Sequence, residues 1–150
     1  MTRSCSAFAY LTLFSLFGLS QGFLTAPANA QVTPVEGWSK VNDGTAGCTS
    51  GVCKISGGVS SGKNLFHKLE KLNTKNGTIE KVSIDNIDQT SIILANIGSD
   101  LSEISVPFEA LGSKADIAIL SPSGINLSDG FSTNNINKLT LSTSDQIEVW

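Results

Sequence analysis

The sequence predicts an all-β protein made of short strands folded at sharp corners. Three observations carry that prediction. The stretch Ala115–Leu127, ADIAILSPSGINL, reads as a buried strand, a Ser-Pro-Ser-Gly turn and a second strand starting at Ile125. There Pro122 presets one turn dihedral, and Gly124 can take the positive φ that a bulkier residue resists. The same unit recurs in weaker form on both sides, and no stretch shows a convincing helical period. A β-sandwich and a parallel β-helix of stacked rungs both satisfy these observations. Asparagine and serine at successive corners favour the β-helix, where polar side chains can ladder between rungs. At about 20–25 residues per rung, residues 31–150 would supply roughly five rungs.

The chain divides into residues 1–30 and residues 31–150. Met1–Ala30 has Arg3 near its start, an apolar run from Ala7 to Leu19, and Ala28-Asn29-Ala30 before Gln31. A basic start, an apolar middle and an A-x-A end are the parts of a secretory signal peptide cleaved between Ala30 and Gln31. The apolar run is too short to span a bilayer comfortably. With the leader goes the only arginine, so the 10 basic residues become nine lysines against 13 acids, a formal charge of −4. The lysines are nowhere concentrated, which argues against nucleic-acid binding and against a basic membrane-surface patch.

Gln31–Gly51 reads as polar and loop-like, punctuated by Pro34 and four glycines and anchored by Trp38, and it caps one end of the expected fold. Cys48 and Cys53 form an even pair in an exported chain, so a disulfide is expected. A bridge closing so short a loop stiffens a local hairpin and adds little global stability. Metal binding would need further ligands, and His67 is the only other candidate. Val52–Ser56 alternates as a strand, Gly57–Gly62 is a Gly/Ser turn, and Asn64–Leu69 is a strand although LFHKLEKL also has helical spacing. After the Asn76-Gly77 turn signal, Thr78–Ile84 and Ser91–Ile97 read as strands. Ile104, Val106 and Phe108 alternate as one half-buried strand that Pro107 confines to an edge or corner. Ala115–Leu120, Gly124–Leu127, Leu139–Thr143 and Ile147–Trp150 complete the set.

No constellation for chemistry is visible. His67 is the sole histidine and lacks a nucleophile motif, so it is expected to pack beside an apolar strand face or to bond a neighbouring backbone group. Asp85 with Asp88, and Asp100 with Glu103, have spacings common in solvated loops and lack the basic residues of a polysaccharide-lyase site. No calcium loop or phosphate-binding glycine motif is present, since GGVSSGK lacks P-loop spacing. The chain is therefore expected to be no enzyme and to need no cofactor or metal.

Two motifs resemble the two-partner-secretion domain, the haemagglutination-activity-type N-terminal module of large filamentous-haemagglutinin-like bacterial exoproteins. The family's NPNGI corner stands here as Ser121, Pro122, Ser123, Gly124 and Ile125, with serine in place of both asparagines. Its Gly-rich lead into N-L-F-H stands as GGVSSGKNLFH, which ends in Asn64, Leu65, Phe66 and His67. The two occur in the family's order and at roughly its spacing. ANIGSDLSE stands where the family commonly has an arginine-containing RVTGG-like stretch. The resemblance implies a right-handed parallel β-helix with an N-terminal cap, and no catalytic role for His67. It also implies a secreted or cell-surface, adhesin-type protein that reaches the periplasm through the general export machinery. A dedicated outer-membrane β-barrel transporter then carries the chain out, recognising it partly through these motifs. The chain stops at Trp150, short of a full exoprotein, so a truncated remnant is one alternative. A small secreted module holding a glycan or host-surface partner on its β-helix face is another, and a polysaccharide-cleaving enzyme is a third.

Overall fold

The computed structural model describes residues 29–86 and 88–144. The described chain contains no helix. Its strands are Gln31–Pro34 (β1), Ser39–Val41 (β2), Ser50–Gly57 (β3), Val59–Ser61 (β4), Asn64–Asn73 (β5), Thr78–Asn86 (β6) and Ser91–Asn96 (β7). Ser102–Ile104 (β8), Phe108–Gly112 (β9), Ala115–Leu120 (β10), Ile125–Leu127 (β11), Thr133–Asn134 (β12) and Ile136–Ser142 (β13) follow.

Period-two patterning turns these strands into a solenoid. β5, β7, β10 and β13 pair in parallel along one long face, stacking Leu65 on Ile92, Ile117 and Leu139, and His67 on Leu94, Ile119 and Leu141. A second face stacks β3, β6, β9 and β12, which aligns Cys53, Val82, Phe108 and Thr133. β8 and β11 form a narrow third face. The chain visits these faces in a fixed cycle and makes a parallel β-solenoid of about 4 turns. Alternate residues of each strand point inward, so the columns fuse into one apolar core in which Ile55, Leu69, Ile84, Ile104 and Phe108 are fully buried.

Polar corners hold the rungs in register. Asn86 donates to the carbonyls of Gln89 and Ser113, and its Oδ1 accepts from the Gln89 N–H. At the equivalent corner further along, Asn135 donates to the carbonyls of Ala110 and Gly112. Ser105 and Thr74 exchange bonds in the same way: the Ser105 N–H reaches Thr74 Oγ1 at 2.8 Å, and Ser105 Oγ donates to the Thr74 carbonyl. The expected laddering of Asn and Ser is thus observed. Bonds between side chains and the main chain of a neighbouring rung join residues as few as 23 and as many as 31 apart. The rungs are unequal: aligned residues lie 29 apart between Val52 and Lys81, beyond the expected 20–25, but 25 apart between Ile92 and Ile117 and 22 between Asp116 and Lys138, and about 4 turns form where five were expected.

Several elements differ from expectation. Gln31–Gly51 is not all loop: β1 runs antiparallel to β5, and β2 antiparallel to β3. Val32, Ser39 and Val41 are buried there, so this segment contributes to the core. Gly57–Gly62 contains β4, which pairs with β5 around a two-residue loop in which Gly62 has φ +59°. The stretch Ile104–Phe108 is two strands rather than one. β8 ends at Ile104 and β9 begins at Phe108, while burial at Ile104, Val106 and Phe108 continues round the Pro107 corner. The helical spacing in LFHKLEKL belongs to a strand. Its alternation breaks at Glu70, where the pairing with β1 skips a residue and returns Leu72 to the inside. Ile147–Trp150 and residues 1–28 lie outside the described residues.

Cys48 and Cys53 form the expected disulfide, with Cα atoms 5.6 Å apart. Cys53 belongs to the buried column of β3, and Cys48 exchanges two backbone hydrogen bonds with Val32. The bridge therefore fixes the partner of β1 to the first rung. Closing a loop of this size constrains the unfolded chain only modestly, so reduction is expected to lower stability by about 2 kcal/mol. Urea unfolding with and without reductant reads this directly, and unchanged midpoints would refute it.

Candidate functional site: the Ser121–Ile125 corner and the Asn64–His67 strand

Leu120 ends β10 beside the long face, and Pro122 cannot continue the ladder, so the chain must turn. The Gly124 N–H donates to the Ser121 carbonyl at 2.9 Å, closing a four-residue turn with Pro122 and Ser123 in the middle. Ser123 has no positive φ while Gly124 has φ +104°, so the turn is of type I and the glycine follows it. A Cβ on Gly124 would meet Leu101 Cδ1 at 2.8 Å. Gly124→Ala is therefore expected to cost about 1–3 kcal/mol, chiefly from backbone strain. Comparing urea midpoints with those of Ser123→Ala checks this, and equal midpoints would count against it.

The residues of this corner divide by direction. Ser121 is fully buried and meets Asn96 and Ser102 inside the solenoid. Asn96 Nδ2 donates to Ser102 Oγ at 2.8 Å and lies 3.4 Å from Ser121 Oγ, and Ser102 Oγ donates to Ser121 Oγ at 3.0 Å. Asn96 Oδ1 has no partner in this cluster. Pro122 and Ser123 are exposed, and Ser123 Oγ donates to the Gly98 carbonyl of the preceding rung at 3.2 Å. Ile125 opens β11, half-buried beside Ser102. The accessible tip of the corner is Pro122–Ser123.

In the Asn64–His67 strand, Leu65 and His67 face the core, whereas Asn64 and Phe66 are half-buried on the outside. Phe66 stacks on Ile93, which stacks on Ala118, with Val59 of β4 on its other side. Asn64 aligns with Ser91 and Asp116. A shallow cavity of about 230 Å³ runs across this outer surface, lined by Ser91, Ile93, Asp116, Ala118, Lys138 and Thr140 among others.

His67 is buried, as expected of a packed histidine, but its partner is a side chain rather than a backbone group. Nδ1 lies 3.2 Å from Ser39 Oγ, and the same oxygen accepts the Lys68 N–H at 3.1 Å. Nε2 has no partner. Burial lowers its pKa from 6.5 to about 4, against the opposing charge of Asp85. Beside it, Lys68 Nζ sits 3.7 Å from the Trp38 ring centroid, giving Trp38 its anchoring role.

The two predicted motifs lie on the same solenoid but do not touch: Asn64–His67 is in β5 of the long face, and the corner follows β10, two rungs from β5 and beyond its aligned column. Three of the four acidic residues read as solvated, Asp85, Asp100 and Glu103, also pair with lysines across rungs, while Asp88 accepts from Ser113 Oγ at 3.2 Å. Lys54 meets Asp85 at 3.1 Å, Lys71 meets Asp100 at 3.3 Å, and Lys75 meets Glu103 at 2.8 Å. Lys81 meets Glu109 at 2.6 Å, and Ser83 donates to the same carboxylate. Such pairs are exposed enough to contribute little each, but they all depend on the same register. Sequence spacing could not reveal them, because the partners lie a full rung apart. Among the described residues no three His, Cys, Asp or Glu side chains stand close enough together to hold a metal ion. No protein-family model, curated protein or solved structure matches this chain.

Proposed function

We propose that this chain is the secretion-directing domain of an exported, adhesin-type protein, led across an outer membrane by a two-partner-secretion transporter. The observation that carries the reading is that one parallel β-solenoid holds both family-like motifs, Asn64–His67 in a strand of its long face and Ser121–Ile125 at the corner where the chain leaves that face for β11. Folding fits this route: each rung offers an unpaired edge until the next is laid down, so strands emerging from a pore can add one at a time. β1, β2 and β4 run antiparallel along the first rung and act as its cap. While the chain is unfolded, the same strands can add to the edges of transporter domains in the periplasm.

The test is secretion of the full precursor in a diderm host with and without its transporter, assaying medium and periplasm separately. Pro122→Ala with Ser123→Ala alters the exposed tip, with loss of the Ser123 Oγ bond to the Gly98 carbonyl, and leaves Ser121 and Gly124 in place. Transporter-dependent release, reduced at least tenfold in the double variant while periplasmic export persists, is the expected result. Retention in the periplasm with or without the transporter would overturn the proposal.

A second reading, a glycan-binding surface, rests on the outer cavity lined by Asn64, Ser91, Ile93 and Asp116, with Phe66 aligned to Ile93 in the adjoining strand. An aromatic surface beside carboxamide, hydroxyl and carboxylate groups suits a sugar ring, and Phe66→Ala should then abolish binding to oligosaccharides.

A further inference from the structure

We infer that the leader is removed between Ala28 and Asn29, two residues before the Ala30–Gln31 bond that the A-x-A pattern first indicates. The inference rests on the export reading and on the packing of Ala30. This residue is 2% exposed and belongs to the apolar core, whereas Asn29 is exposed. Its methyl occupies the space that Gly77 leaves by having no side chain: a Cβ on Gly77 would overlap the Ala30 Cβ and lie 3.3 Å from its Cα and N. The two positions are complementary, and one is empty of side chain because the other is filled.

Cleavage after Ala30 would remove this core residue. It would also place the new α-ammonium on Gln31, the first residue of β1, which is paired with Asn73 at the edge of the opened apolar hollow. A charge beside apolar surface loses hydration without gaining a partner. Cleavage after Ala28 keeps Ala30 and leaves the charge on exposed Asn29. The sequence offers this bond on equal terms, since Ala26-Pro27-Ala28 is itself an A-x-A. Hydrolysis of the Ala28–Asn29 bond consumes one water and leaves a carboxylate on Ala28 and an ammonium on Asn29. The peptidase meets the chain before it folds, so the fold does not direct the cut. It shows which of two equivalent cuts yields a complete core.

N-terminal sequencing of the exported protein tests this. A sequence starting Asn-Ala-Gln-Val supports the inference, and one starting Gln-Val-Thr overturns it. Two variants separate the sites by processing alone, whatever they do to folding. Ala26→Leu spoils the −3 position of the proposed site and lies outside the other; Ala30→Leu spoils the −1 position of the other and lies after the proposed one. The Asn29 terminus is expected to be lost in Ala26→Leu and kept in Ala30→Leu, and a Gln31 terminus that is kept in Ala26→Leu and lost in Ala30→Leu while the parent also starts at Gln31 would refute it. A wild-type precursor that stays uncleaved would overturn the export reading itself, which a Gln31 terminus would not.

Discussion

Phe108→Ala is expected to lower the unfolding free energy by about 3–5 kcal/mol, the largest effect of any single truncation in the solenoid. Phe108 is fully buried, stacked on Val82 within the second face, and its ring centroid lies 6.1 Å from that of Phe131 at 53°. The cavity left by its loss cannot close readily. The rungs above and below are fixed by parallel ladders and by the corner bonds of Thr74, Ser105 and Asn135, so neighbours cannot move in without breaking register. In a solenoid each rung leans only on its neighbours, so damage to one rung is not shared across a larger core. Ile97→Ala, at a residue 57% exposed, is the control and should stay within about 0.5 kcal/mol of the parent. Urea midpoints for the two variants decide the matter, and equal losses would mean that the column through Phe108 is not the core.

That column also shows what could and could not be read from the chain. β10 was legible to the residue, because Ala115–Leu120 alternates and stops at a proline-containing turn whose chemistry is local. The Cys48–Cys53 bridge was legible from the even cysteine count after the expected leader and from the expectation of export. The break between Ile104 and Phe108 was not, because inward burial passes smoothly round the corner and only cross-rung pairing reveals where one strand ends. β1 and β2 were hidden for a related reason. Their residues are polar and punctuated, and they become strands only by lying antiparallel to β5 and β3, far away in sequence. The repeat itself was obscured by unequal rungs: a skipped residue at Glu70 inside β5 and the turn between Asn73 and Thr78 absorb extra residues without disturbing the columns inside.

The candidate corner divides along the same line. Its turn chemistry was legible in Pro122 and Gly124, and the positive φ at Gly124 is observed. The inward role of Ser121 was not, since Asn96 and Ser102 reach it from the preceding rung. The division has a functional consequence. On the proposed secretion reading, a transporter contact at this corner involves Pro122 and Ser123 while Ser121 holds the turn from inside, so contact and turn can be altered separately.

His67 makes the fold sensitive to acid in a defined window. Stability is expected to fall by about 2–3 kcal/mol between pH 7 and pH 4.5 through this one residue. Burial holds its pKa near 4, with the charge of Asp85 opposing, whereas the unfolded chain takes up the proton near 6.5. Between those values the unfolded state binds more protons than the folded one, so lowering the pH favours unfolding. Above 6.5 the residue is neutral in both states and contributes no slope. The geometry agrees with the sign: an imidazolium has two N–H donors, and here only Nδ1 has a partner, Ser39 Oγ, while Nε2 faces none. Glu103 and Glu109 are held below the usual carboxylate range, the first by the Lys75 hydrogen bond and the second by those of Lys81 and Ser83. The stability they bring is present above about pH 4.5 and is lost only as pH falls through their lowered values. The interval from 6.5 to 4.5 therefore belongs to His67. His67→Leu continues the apolar column of Leu94, Ile119 and Leu141 and should flatten urea midpoints across that interval. If the parent and His67→Leu lose stability equally as pH falls, the acid response arises elsewhere and the buried imidazole carries none of it.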